Sequence, residues 1–286
     1  MKPIPFKIPK SEGSSLRVQI DEGPHFYDRL HYHNEIQVTT IQKGEGILYS
    51  GNNMVQFNPG DTFILGSNIP HLMKSAKPYF SPDSNGVYSV SLFFDQNSFG
   101  SDFFHIPELK NIYALLGKSK RGIKVIDDCN KYIHQQILEM VDLKNTALII
   151  QLLHILNEID KTSKNYINSD VYRFSINEKD GQRLNDIISY TFNRLEEDIT
   201  IEDIASIANL SRSQFSRYFK LHTRKTYIEF LNELRIESAC NLLLDKKNTI
   251  ENICYDVGFK NLSNFNRQFK KIKQLTPSEY RSIRLK

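Results

Sequence analysis

The sequence predicts an α+β chain of two domains: an N-terminal β-barrel followed by a helical hairpin, then an all-α domain holding two helix-turn-helix units. Three observations carry this. Up to Phe94 the apolar residues fall in short runs punctuated by Gly, Pro and Asn, the spacing of a sandwich or barrel. Past Asp102 the apolar period changes to three and four, that of helices. Near the end, residues 209–220 are repeated fifty residues on, with Phe215, Arg217, Phe219 and Lys220 matching Phe265, Arg267, Phe269 and Lys270. The expected boundaries are 1–160 for the first domain, 161–180 for a polar linker and 181–286 for the second. A length of 286 residues gives each domain enough interior to fold.

In the first domain a strand is expected at residues 16–20. Residues 31–40 then alternate, and a period of two puts His31, His33, Glu35 and Gln37 on one face, with Ile36 and Val38 on the other. Strands follow at 47–49, 54–57, 62–65 and 87–94, with turns at 43–46, 50–53 and 58–61. The polar row is expected to face the barrel lumen with His71 opposite, offering imidazole, carboxylate and amide groups to a small polar ligand such as a sugar.

His31-x-His33, the Pro59-Gly60-Asp61 turn and Pro70-His71 resemble the two motifs of the cupin barrel. In metal-binding cupins the first motif supplies two histidines and a glutamate, the second a third histidine. Gln37 stands here where that glutamate is expected, and a carboxylate is the usual charge-neutralising ligand. Three readings of these histidines stay open: an effector pocket, a metal site, and core histidines satisfied by their neighbours. The first is the expectation, and no metal or other cofactor is assigned.

Residues 123–141 and 143–159 are read as two helices with broad apolar faces, which pack on the barrel or leave a stripe for a dimer seam. Both readings are open, and a homodimer through these helices is the expectation. Residues 161–180 are polar and without strong period, hence the linker.

In the second domain an amphipathic helix carries Leu184, Ile187, Ile188, Thr191 and Leu195. Thr200, Ser211, Thr226 and Thr276 are each followed three residues on by an acid or amide, the capping-box pattern, and Thr249 and Asn261 read as plain N-caps. About seven helices follow. Asn209 stands at the first turn where Gly258 stands at the second, and both residue types tolerate φ > 0. Residues 226–244 form the connecting helix, with Ile228, Leu231, Leu234 and Leu242 on its expected buried side; it is about 27 Å long, enough to set two helices one duplex turn apart.

Charge supports a polyanion as partner. From Gly181 onward there are 18 Lys and Arg against 13 Asp and Glu, whereas residues 1–180 hold 19 against 20. Residues 212–225 and 260–273 each hold five basic side chains and no acid. With the Phe pairs inward, the expected double-stranded DNA contacts are Arg212, Ser213, Gln214, Ser216, Arg217 and Lys220 on the first second-helix, and Asn261, Ser263, Asn264, Arg267 and Lys271 on the other. Arg217 and Arg267 suit guanine and Asn264 adenine, with a phosphate contact the alternative for each arginine.

Residues 201–281 are similar to the DNA-binding domain of the AraC/XylS family of bacterial transcription regulators. The resemblance rests on Phe215-x-Arg217-x-Phe219-Lys220, Arg235, Val257-Gly258-Phe259, Phe265-x-Arg267-x-Phe269-Lys270-Lys271 and Thr276-Pro277-x-x-Tyr280-Arg281. It implies an effector-binding, dimerising N-terminal domain, an activator more often than a repressor, and RNA polymerase as a partner. The rival reading is a metal-dependent cupin enzyme, such as an isomerase or dioxygenase, fused to a DNA-binding domain; the expectation is not an enzyme. Cys129, Cys240 and Cys254 form no metal or disulfide spacing and read as buried thiols in a reducing compartment. No signal-peptide core and no apolar run long enough to span a bilayer is present, so no membrane partner and a cytoplasmic location are expected.

Overall fold

The computed structural model describes residues 4–5, 15–126, 129–171 and 178–285. Among these, no helix is long and apolar enough to cross a membrane. The chain divides into two compact units, one centred on Ile4–Asn53 and Phe57–Ser175, the other on Ile176–Lys286.

The first unit holds β1 (Ile4–Pro5), β2 (Leu16–Gly23), β3 (His31–Tyr32), β4 (Ile36–Lys43), β5 (Gly46–Ser50), β6 (Asn53–Phe57), β7 (Thr62–Leu65), β8 (His71–Ser75), β9 (Val87–Phe94), β10 (Ile123–Val125) and β11 (Lys164–Tyr166). They form two sheets, ordered β1-β3-β8-β5-β6 and β11-β10-β7-β4-β9-β2. The strand expected over residues 31–40 is broken: β3 belongs to one sheet and β4 to the other, with a bend at Asn34–Glu35 between them. A single period-two face therefore does not run from His31 to Gln37. Instead His31 pairs with His71 across β3 and β8, while Gln37 lies opposite Phe93 of β9.

Three helices complete this unit: α1 (Lys110–Lys118), α2 (Cys129–Glu139) and α3 (Thr146–Lys161). Ile36, Val38, Ile64 and Leu92 from one sheet share a core with Leu115, Ile133, Ile137, Leu152, Ile155 and Ile159 from the helices, so the helices cover the face of β4 that carries Ile36 and Val38. The helix expected from residue 123 starts later. Ile123–Val125 is instead β10, between β7 and β11; Gly122 at φ 64 makes the turn into it, and alternate β-branched residues suit a strand.

The linker expected at 161–180 begins too early. Lys164–Tyr166 is the edge strand β11, and its polar character has a structural use. Lys164 Nζ donates to the carbonyls of Ile159, Asp160 and Thr162 at the end of α3. The Asn168 side chain accepts from Asn52 N at 3.0 Å and donates to Ser50 O at 3.1 Å.

The second unit holds α4 (Glu178–Asn193), α5 (Ile201–Ile207), α6 (Arg212–Thr223), α7 (Tyr227–Leu242), α8 (Ile250–Asp256), α9 (Leu262–Lys273) and α10 (Pro277–Arg284). Every start read from the caps is found, with capping boxes at Thr200, Ser211, Thr226 and Thr276 and single caps at Thr249 and Asn261.

The two turns end their first helices alike. Asn209 (φ 51) and Gly258 (φ 89) take the left-handed conformation. Beyond them Leu210 N donates to Ala205 O and Phe259 N to Cys254 O, the wide bond of a Schellman ending. The repeat continues at the far ends, where Arg224 (φ 57) and Gln274 (φ 58) close α6 and α9. On α7, Ile228 is exposed and Tyr227 and Phe230 are buried in its place. The rings of Phe215 and Phe219 close on Tyr227, which makes that face the inner one.

Candidate functional site

α6 and α9 are twelve residues each and are held the same way. Phe215 and Phe219 are fully buried with ring centroids 5.7 Å apart, Phe265 and Phe269 fully buried at 5.8 Å. This anchors one side of each helix and leaves the other to solvent. Arg217, Lys220, Arg267, Lys270 and Lys271 are exposed, and none forms an ion pair among the described residues.

Lys220 and Lys271 both lie near enough to Glu229, at the start of α7, to hold its carboxyl below the ordinary range, after the larger effect of its hydrogen bonds from Thr226. Lysines of the two exposed faces thus approach one point of the same unit.

Not every expected contact residue is available. Gln214 Oε1 accepts from Ser211 N at 3.0 Å and Asn261 Oδ1 from Asn264 N at 2.8 Å, so both carbonyls are spent on capping. Ser216 Oγ donates to Arg212 O in its own helix, and Ser213 Oγ lies 3.3 Å from Ser211 Oγ. Ser263 is exposed. Arg267 Nη2 donates to Asn264 Oδ1 at 2.9 Å, which orients both side chains.

Segments without acids in the sequence also meet acids in space. Arg212 pairs with Glu202 at 2.9 Å, Lys225 with Glu233 at 2.5 Å, Lys260 with Asp198 at 2.5 Å and Lys273 with Glu237 at 2.6 Å. The Arg212 and Lys260 pairs are exposed, where such contacts contribute little and DNA can displace them. Lys225 and Lys273 are half-buried against their partners and belong to the scaffold.

In the barrel a cavity of about 260 Å³ is lined by polar residues including Gln19, Asp21, Ser89, Ser91 and Gln37 and by Phe26, Tyr27, Met73 and Phe93; His31 and His71 are on its wall. Strand register builds the polar patch. Gln19 and Asp21 of β2 lie opposite Ser91 and Ser89 of β9, and Ser91 lies opposite Thr39 of β4. Gln37 Nε2 donates to Ser91 Oγ at 3.3 Å, Ser91 Oγ donates to Thr39 Oγ1 at 2.9 Å, and Gln19 Nε2 donates to Asp21 Oδ1 at 2.5 Å.

Burial raises the Asp21 carboxyl above its ordinary value, against the hydrogen bonds from Gln19 and Ser91. Sequence reasoning missed Gln19, Asp21, Ser89 and Ser91. Their signal was present as polar pairs two apart inside strands, which puts both members on one face.

The structure separates the expected effector residues. Gln37, His31 and His71 line the cavity; His33 and Glu35 do not. Glu35 gives its backbone carbonyl to His33 Nδ1 at 2.9 Å, and its carboxylate lies 3.9 Å from the same nitrogen.

His31, His33 and His71 are brought together, each offering a ring nitrogen within 4.8 Å of the others. Burial lowers all three below the ordinary imidazole range, His31 to about 4, so the rings are neutral at pH 7. This donor set fits a metal ion that accepts imidazole, although Gln37 brings no charge to it.

A duplicated helix-turn-helix with two exposed basic helices, and a barrel with a polar cavity, define a ligand-binding regulator of the DNA-reading class. Residues 204–283 match the family model described as a helix-turn-helix domain, and residues 15–81 the one described as an AraC-like ligand binding domain. The chain belongs to the AraC family of transcription regulators.

Among its relatives is YdeC of Bacillus subtilis, an uncharacterized HTH-type transcriptional regulator, 24% identical over 281 residues that span 93% of this chain and 90% of the relative. An uncharacterized HTH-type transcriptional regulator of Haemophilus influenzae is 28% identical over 265 residues, 84% of each chain. A Staphylococcus aureus protein of the same description is 27% identical over 285 residues, 94% of this chain but only 34% of its own length.

Similar solved structures include a transcriptional regulator of the AraC-type DNA-binding domain-containing proteins from Chromobacterium violaceum, with 28% identity, 38% of this chain and 96% of that one covered, and a TM-score of 0.35. ToxT from Vibrio cholerae covers 94% of this chain and 99% of its own at 16% identity and a TM-score of 0.37.

Proposed function

We propose that the chain is a cytoplasmic transcription activator that places α6 and α9 in successive major-groove segments of a specific operator, recruits RNA polymerase there, and responds to a small polar effector in the barrel. The observation that carries the DNA-binding part is the paired exposure of Arg217 with Lys220 and of Arg267 with Lys271 on two helices anchored alike. Phosphate contacts by the lysines set affinity, and the arginines, with Asn264, read bases. The connecting helix α7, sixteen residues and about 24 Å long, spaces the two readers.

A homodimer through α2 and α3 doubles the site. Its support is the apolar surplus on those helices, where Ile150 is 63% and Tyr132 48% exposed. For the effector, the cavity is polar, partly enclosed by aromatic rings, and matched in its hydrogen-bonding groups to a hydroxylated molecule such as a sugar.

The test is selection of duplex fragments from the source genome by the purified chain, beside a random pool. Enrichment of a common sequence that disappears in Arg217→Ala combined with Arg267→Ala supports the reading. Equal retention of every duplex sinks it in favour of a sequence-indifferent DNA protein.

A further inference from the structure

We infer that the effector of the barrel cavity is a small hydroxylated amine, an amino sugar or an amino alcohol, whose ammonium group pairs with the Asp21 carboxylate and whose other N–H or O–H groups reach His71 Nε2. This rests on the effector reading above and names the ligand's chemistry.

The cavity wall is short of donors. Asp21 receives Gln19 Nε2 at 2.5 Å. Its other oxygen lies 3.4 Å from Ser91 Oγ, whose single proton also has Thr39 Oγ1 in reach at 2.9 Å. A carboxylate accepts about four hydrogen bonds, so Asp21 keeps lone pairs unmet, and burial is the largest influence on it. An ammonium group supplies both the donors and the opposite charge that favour the ionised carboxyl.

His71 points to a ligand independently. Its Nδ1 donates to Ile69 O at 2.8 Å, which leaves the lone pair of the neutral ring on Nε2. The residue is 3% exposed and lines the cavity, yet Nε2 has no hydrogen-bond partner among the described residues. A buried acceptor in this state is costly until a donor reaches it. A hydroxyl or amine proton satisfies it, whereas a ligand carboxylate sets lone pair against lone pair.

Charge and walls agree. Among the described residues Asp21 and Glu22 line the cavity and no lysine or arginine does. Arg17, two pleats from Asp21 on β2, is the smallest influence on that carboxyl and is not part of the lining. Phe26, Tyr27 and Phe93 are on the wall, and aromatic rings add an electrostatic attraction for a cation. The volume of about 260 Å³ lies below the roughly 300–1,000 Å³ of pockets for drug-sized molecules, which suits a ligand no larger than one monosaccharide.

The experiment is calorimetry of full-length, metal-free protein with glucosamine, ethanolamine, glucose and glucuronate, at a pH where the amines are protonated. Glucosamine should bind at least about tenfold tighter than glucose, and glucuronate should bind weakest. Glucosamine above ethanolamine identifies an amino sugar, the reverse an amino alcohol, and either order supports the inference. Asp21→Asn should abolish the difference between glucosamine and glucose while glucose still binds, a result that an unfolded variant cannot give. His71→Ala should weaken both by about tenfold.

Glucose or glucuronate bound as tightly as glucosamine overturns the inference, as does a preference for glucosamine that persists in Asp21→Asn. Absence of saturable binding by either amine at about millimolar concentration overturns it too. Glucose bound equally well refutes this inference alone and leaves a polar effector in place. Amine binding without selection of any operator refutes the regulator reading alone.

Discussion

The guanidinium of Arg235 fills the space beside Gly258 that a side chain there would need. A Cβ on Gly258 would sit 2.9 Å from Arg235 Nε and Nη2 and 2.7 Å from the Leu195 carbonyl, in a backbone at φ +89. Arg235 is itself fixed, donating from Nε to Leu195 O at 3.0 Å and from Nη2 to Glu197 O at 2.8 Å. The second helix-turn-helix is thus tied through one buried arginine to the chain that leaves α4.

Gly258→Ala should therefore cost about 1–3 kcal/mol of stability, from the strained φ and the displaced guanidinium. Asn209→Gly, at the matching place in the first unit, should change stability by about 0.5 kcal/mol or less, because asparagine already tolerates that conformation. Urea melts of both variants decide it; an unaffected Gly258→Ala would show that the second turn yields easily. Arg235→Ala should be worse than either, since it empties the space of a buried side chain and removes its hydrogen bonds to the Leu195 and Glu197 carbonyls.

On DNA, Arg217→Ala and Arg267→Ala should each cost about 1–3 kcal/mol at the specific site and relax preference at one base pair, whereas Lys220→Ala should weaken all sequences alike. Asn264→Ala should mimic part of the Arg267 loss, because the Asn264 carbonyl holds that guanidinium at 2.9 Å. Gel shifts on matched specific and random duplexes are the measurement. Unchanged base preference in both arginine variants would return these side chains to phosphate contacts.

The second domain was almost wholly legible because its signals are local: a hydroxyl, a partner three residues on, and a Phe pair one turn apart. The barrel was legible where a strand stands between turn residues, as β9 does. It was not legible where three-residue strands are defined by their partners, as β10 and β11 are, or at Asn34–Glu35, where a sequence that alternates without interruption changes sheets. The site split on the same line. Histidines in two strands were expected to meet and do, but the meeting of the Gln19–Asp21 pair with the Ser89–Ser91 pair depends on the β2–β9 register, which the local alternation in each strand does not contain. Likewise the helices that lack acids in sequence receive Glu202, Asp198 and Glu237 from elsewhere.

Cys240 and Cys254 are free and buried, and burial pushes the Cys240 thiol up to about 12 and raises Cys254 as well. Alkylation of native protein near pH 8, read by site-resolved mass spectrometry, should leave both unmodified, and unfolding should expose both. The Cys129 side chain lies outside the described residues, so it serves only as an internal comparison. Rapid modification of Cys240 in the native state would contradict its packing in the core of the second unit.

Ile150 and Tyr132 are large side chains turned outward on α3 and α2, and Tyr132 Oη is hydrogen-bonded to His154 Nε2 at 2.8 Å between the helices. If these helices make the dimer seam, Ile150→Asp buries a charge at its centre and should give a monomer that keeps its fold. Light scattering at micromolar concentration is the check. A wild-type monomer, or a dimer indifferent to this substitution, places any seam elsewhere.

The lining of the barrel cavity sets the sign of effector preference. Asp21 and Glu22 contribute carboxyls and, among the described residues, no lysine or arginine lines it, so in metal-free protein neutral polyols or cations should bind better than carboxylates of similar size. Gln37 and Ser91 are linked at 3.3 Å and stand on the cavity wall; removing either should cost a hydroxylated ligand about 1–3 kcal/mol, since its own polar groups would be left buried without partners. Glu35→Ala is the control, because that side chain does not line the cavity and should leave affinity unchanged. Calorimetry on metal-free protein against a panel of sugars, amines and carboxylates gives the answer. Tighter binding of the carboxylates would refute the charge argument, and binding that survives Gln37→Ala and Ser91→Ala while falling in Glu35→Ala would move the pocket out of the barrel.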